Sequence, residues 1–145
     1  MLVAIFRDPA GLTGTSIGRV VRALADQLEW LVCVGGIEGS NVPPVLQGDG
    51  AVMTVSDFLR EVEHVRQFDW GDFYLLSAAQ AARGFTYIKR GYSSLIPVSE
   101  YLVRAVDDTY VYVFTIRPDA AKLTNSGVPW DSVDAEDLHG FVYPD

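Results

Sequence analysis

The sequence predicts an α+β domain, a mixed, largely antiparallel sheet packed against two main helices. Three observations carry this. Short β-rich runs recur between clusters of Gly, Pro and Asp; two stretches, beginning at Ile17 and Val55, space their apolar residues at helical period; and SEYLVRAVDDTYVYVFTI, residues 99 to 116, sets two β-rich runs either side of Asp107-Asp108. At 145 residues with 49% hydrophobic side chains, the chain has the material for one core, and no linker or repeat divides it. One globular domain over 1–145 is expected.

Each element has a local reason. Leu2 to Phe6 is a short apolar run that predicts a central strand, and Pro9, Gly11 and Gly14 break it into a loop. From Ile17 the apolar residues fall at Val20, Val21, Leu24, Leu28 and Leu31, a helical stripe, with Thr15 or Ser16 expected at the N-cap. Trp30 to Val34 predicts a second strand stopped by Gly35-Gly36, and Gly39 to Gly50, with Pro43-Pro44, predicts loop. Thr54 followed three residues later by Asp57 resembles a capping pair. It precedes a helix whose apolar face is Val55, Phe58, Leu59 and Val62.

Further on, Asp69-Trp70-Gly71-Asp72 predicts a turn leading into a strand at about Phe73 to Leu76, and FTYIK, residues 85 to 89, predicts another strand. In the hairpin's second run, Tyr110, Tyr112, Phe114 and Ile116 alternate with Val111, Val113 and Thr115. Both faces are then apolar enough to be covered, which places that strand inside the sheet.

Charge narrows the function. Nineteen Asp and Glu stand against eleven Lys and Arg, a net charge of −8. Direct nucleic-acid binding is disfavoured, because it needs cations to displace counterions from phosphates. A basic partner fits better. After Lys122 only acids remain, at Asp131, Asp134, Glu136, Asp137 and Asp145. The single cysteine, Cys33, lies in an apolar run and is expected to be inert and reduced, as in a cytoplasmic protein. Arg7 and Asp8 interrupt the N-terminal apolar run too early for a secretory signal, and no apolar stretch is long enough for a membrane span.

The motif Gly14-Thr15-Ser16-Ile17-Gly18 spells G-x-S-x-G, and Asp131, Asp134 and His139 follow in the serine, acid, histidine order of α/β-hydrolases. A nucleophile elbow, however, needs its serine on a sharp turn directly after a strand, and Arg7 to Thr15 intervene. Helix capping explains the same letters. A small hydrolase or nucleotide-binding enzyme using the residue 11–19 loop is the alternative reading. Against the nucleotide form, the loop lacks G-x-x-x-x-G-K-[ST] and G-x-G-x-x-G. Glu61 and His64 give a single Glu-x-x-His, with Glu63 beside them, where a di-metal site needs two copies. No catalytic residue, cofactor or metal site is expected.

Two acidic, aromatic-flanked turns remain: Asp69-Trp70-Gly71-Asp72, and Asp107-Asp108 followed by Tyr110. Carboxylates beside large rings suit a surface that docks Arg or Lys, with charge for steering and ring area for affinity. Asp69, Trp70, Asp72, Asp107, Asp108 and Tyr110 are therefore the expected partner-binding residues.

The succession FDWGDFYLL then EYLVRAVDDTYVYVFT, within residues 68 to 116, resembles small cytoplasmic immunity proteins encoded beside bacterial polymorphic or contact-dependent toxins. The resemblance implies a stoichiometric inhibitor that binds one cognate toxin, without nucleic acid or membrane. The N-terminal half lies outside it.

Overall fold

The hairpin expected at residues 99 to 116 forms the interior of a single sheet. The computed structural model describes residues 2–87, 99–115, 122–123 and 128–133. In chain order these form β1 (Leu2–Arg7), α1 (Gly14–Leu24), β2 (Leu31–Ser40), β3 (Ala51–Thr54), α2 (Val55–Val62), β4 (Gln67–Leu76), α3 (Ala78–Ala82), β5 (Tyr101–Val106), β6 (Tyr110–Thr115) and β7 (Asp131–Val133). The strands lie in the order β3-β2-β4-β5-β6-β1-β7, and each pairing among the described residues is antiparallel. The class is α+β.

The cap of α1 lies two or three residues before Thr15 or Ser16, where it was expected. Thr13 is the N-cap: its hydroxyl accepts from the Ser16 amide at 3.2 Å, and Ser16 Oγ accepts in return from the Thr13 amide at 3.4 Å. This reciprocal pair satisfies two of the amides a helix start leaves open. Starting at Gly14 puts Gly14 and Gly18 on one side of the helix, and that side meets α2. A Cβ on Gly14 would lie 1.8 Å from the Val62 carbonyl oxygen. Only glycine permits so close a backbone approach.

The helical stripe stops sooner than its spacing suggests. Ala25 is the C-cap of α1, Leu28 is 53% exposed, and Leu31 already belongs to β2. The backbone of residues 28 to 30 is committed elsewhere, since Leu28 and Trp30 carbonyls accept from the Ser56 and Val55 amides at the start of α2. Thr54 caps α2 as expected, accepting from the Asp57 amide at 3.1 Å.

β2 and β4 are longer than expected. Gly35-Gly36 bends β2 instead of ending it: Gly36 has φ +58, and the pairing register with β4 shifts between Gly35 and Glu38. β4 starts at Gln67, so Asp69 to Asp72 is strand, paired to β2 on one side and to β5 on the other. Neighbours on both sides satisfy its backbone, and this outweighs the turn preference of Asp and Gly. β3, Ala51–Thr54, follows directly on the stretch expected as loop from Gly39 to Gly50, where no strand was expected. Residues 85 to 87 are irregular, and the remainder of the expected FTYIK strand lies outside the described residues.

Each face of the sheet buries a cluster. One face packs Val32, Val34, Phe73, Val103 and Val113 against Ile17, Val21, Phe58 and Val62 of α1 and α2. Phe58 and Phe68 each meet the Phe73 ring at 5.4 Å between centroids. Fully burying each such ring stabilises by roughly 1.5–3 kcal/mol. The opposite face carries Cys33, Tyr74, Leu102, Tyr112 and Phe114, with Phe85 and Tyr87 packed on it. Tyr112 and Phe114 are stacked at 6.3 Å. β5 is buried along its whole length, and β6 from Val111 onward.

Candidate functional site

The antiparallel register brings the two acidic segments to the same end of the sheet. Trp70 of β4 pairs with Val106 of β5, and Val106 pairs with Tyr110 of β6. Asp107 and Asp108 make the connecting turn, both with left-handed φ, 52 and 51. Two consecutive left-handed residues match the twist of the flanking strands, and Asp is among the few side chains that tolerate them.

Gln67 ties the turn to β4. Its side-chain amide donates to Asp69 Oδ1 at 2.9 Å and to Asp108 Oδ2 at 3.3 Å, while the Asp108 amide donates to the Asp69 carbonyl at 3.3 Å. Thr109 Oγ1 holds the other Asp108 oxygen at 2.8 Å. Asp69 and Asp107 are exposed, Asp108 is half-buried, and Glu38, the partner of Trp70 on β2, is exposed beside them. Asp8 joins from β1, its amide donating to the Thr109 carbonyl at 2.7 Å. Arg7 and Arg66 border this end. Five carboxylates against two cations leave it acidic. Neither Asp8, Glu38 nor Gln67 is marked by its sequence context; only the register reveals them.

Asp72 is a correction. It is 2% exposed and bound by Arg104, which is 1% exposed, through Nε to Oδ1 at 2.5 Å and Nη2 to Oδ2 at 2.9 Å. Alternation along β4 explains this: Trp70, Asp72 and Tyr74 share the face opposite the main helices, where a lone carboxylate is costly and a cross-strand guanidinium compensates it. Burial pushes the Asp72 carboxyl up, against the opposing pull of Arg104. Asp72 is an interior residue, not a solvated turn carboxylate. Trp70 has a double role, half-buried at the acidic end while its ring lies under the Arg104 guanidinium at 5.6 Å. Tyr110 is half-buried, its ring 6.3 Å from that of Tyr112.

The loop around Ser16 is structural in its contacts. Ser16 Oγ meets Thr13 alone among its hydrogen-bond partners. The Gly14 amide donates to the Val65 carbonyl, and the Ser16 and Ile17 amides to Thr13, so this helix start has little left to offer an anion. Asp131 lies in β7, and Asp134 and His139 are outside the described residues. Among the described residues, no three His, Cys, Asp or Glu side chains gather as a metal site requires, and no helix is long and apolar enough to cross a membrane. Cys33 is buried, with its thiol pushed up to about 11 by desolvation.

Compared with known protein families, with curated proteins and with solved structures, the chain matches none. Its own residues must carry the functional argument.

Proposed function

We propose that this chain is a non-catalytic binding protein, an immunity protein that neutralises a basic bacterial toxin by stoichiometric docking at its acidic hairpin end. The observation that carries the reading is the Gln67 bridge, which holds the Asp69 and Asp108 carboxylates together although Asp108 follows Gln67 by 41 residues. Fixed carboxylates lose little freedom on docking, so more of their attraction is expressed as affinity. Trp70 and Tyr110 add ring area at the same end, and the resemblance of residues 68 to 116 to immunity proteins points the same way.

The test pairs Asp69→Lys with Asp107→Asn, which changes the charge by three units and keeps a side chain that accepts left-handed φ at 107. The readout is protection of cells expressing the basic protein encoded in the adjacent reading frame, with folding checked by thermal melting. Loss of protection by folded protein is expected. Full protection would move the interface elsewhere, to the acids at Asp131, Asp134, Glu136 and Asp137.

A further inference from the structure

An open recess of about 440 Å³ lies on the tyrosine-rich face, lined by Asp49, Gly50, Phe85, Thr86 and Tyr87. Its walls are fixed by two glycine contacts. A Cβ on Gly35 would fall 2.3 Å from Tyr87 Cζ, so the Tyr87 ring is seated directly on the β2 backbone. Gly36 lies between the Tyr87 hydroxyl and the Trp70 indole, with a built Cβ 3.2 Å from the first and 3.7 Å from the second. Tyr87, a wall of the recess, and Trp70 of the acidic end thus flank the same glycine.

Its chemistry is that of a cation acceptor. Asp49 is exposed and oriented, one oxygen accepting from the Gly36 amide at 2.7 Å. The nearest buried charges, Asp72 and Arg104, cancel each other, so Asp49 leaves the neighbourhood negative. Phe85 and Tyr87 supply ring faces, and Tyr74 packs behind them at 5.2 and 6.0 Å. The hydroxyls of Tyr74 and Tyr87 are buried, out of reach of a ligand in the recess. A planar cation with several N–H donors uses both features that the recess offers, carboxylate and ring face.

We infer that this recess receives an arginine side chain of the docking partner, with Asp49 as its counter-ion and Phe85 and Tyr87 as its ring walls. The inference rests on the docking reading above and specifies one contact within it.

The probe is N-acetyl-arginine methylamide, with N-acetyl-norleucine methylamide as the uncharged control, titrated into the whole chain and followed through backbone amide resonances. The arginine derivative is expected to shift the Gly36 and Gly50 amides saturably, and the norleucine derivative to leave them in place. Asp49→Asn, whose amide oxygen still accepts from Gly36, should weaken the binding at least severalfold, and Phe85→Leu should weaken it as well. Absence of shifts, equal shifts with norleucine, or unchanged binding to Asp49→Asn would overturn the inference. Failure of the probe while Asp69→Lys/Asp107→Asn still abolishes protection would remove the recess and leave the docking reading standing. Binding of the probe while that double variant protects fully would remove the acidic end and leave the recess.

Discussion

Asp72 and Arg104 face each other across β4 and β5 as a buried, two-bond ion pair, with the guanidinium lying over Trp70. Removing one partner strands the other in an apolar interior. Arg104→Met should therefore cost roughly 3–5 kcal/mol, and Asp72→Lys should prevent folding, because two buried cations would then face each other. Asp72→Leu/Arg104→Met should recover most of the loss. Chemical denaturation of the three variants measures this, and a double variant as unstable as Arg104→Met alone would mean that the pair is not what holds the two strands.

The α1–α2 contact makes a sharper distinction between two glycines. Gly14→Ala drives a methyl into the Val62 carbonyl and should lower the melting temperature strongly, despite alanine's better helix propensity. Gly18→Ala meets side-chain methyls instead of backbone, Val62 Cγ1 at 3.3 Å and Leu59 Cδ2 at 3.8 Å, and should cost little. Equal melting temperatures for the two would contradict the close approach.

Capping yields a smaller effect. Thr13→Ala removes the acceptor for the Ser16 amide and should cost about 0.5–2 kcal/mol, whereas Ser16→Ala keeps that acceptor, losing the longer reciprocal bond and the hydroxyl–hydroxyl bond that both variants lose, and should cost less. Reversal of that order in urea melts would return Ser16 to the N-cap position.

Cys33 predicts behaviour in alkali. Burial holds its thiol protonated up to about 11, while in the unfolded chain it ionises near 9.0. Between these values the unfolded state binds fewer protons, so stability falls as pH rises through that window. Tyr74 and Tyr87, also pushed up by burial, extend the fall to higher pH. The slope between pH 9 and 11 should be shallower in Cys33→Ala. Native Cys33 should also resist thiol reagents until the protein unfolds, and rapid native labelling would contradict its burial.

The sequence revealed most where local pattern and tertiary context agree. The hairpin of β5 and β6, the cap of α2 and the apolar face of α2 were readable because alternation, capping chemistry and helical spacing are short-range signals. Asp107 and Asp108 were readable as the hairpin turn for the same reason, whereas their meeting with Asp69 depends on the register of β4 and β5. Asp72 was not, because its fate depends on Arg104, 32 residues away and opposite it only once β4 and β5 pair in register. Gly35-Gly36 read as a breaker, although these glycines make room for Tyr87 and for a β2 bulge. The extension of β4 through Asp69 to Asp72 was hidden likewise, since Asp and Gly favour turns until neighbours on both sides claim their backbone.

The position of β1 has a consequence for biogenesis. It lies between β6 and β7, with Arg7 opposite Tyr110, so this strand has no sheet neighbour until more than a hundred further residues exist. At roughly 5–20 residues per second, that interval lasts about 5–20 s. During it β2, β3 and β4 can already pair among themselves, whereas the apolar stretch from Leu2 to Phe6 waits. A nascent chain arrested before Tyr110 leaves that stretch as an open template for aggregation or for a holdase, and its acidic turn unformed.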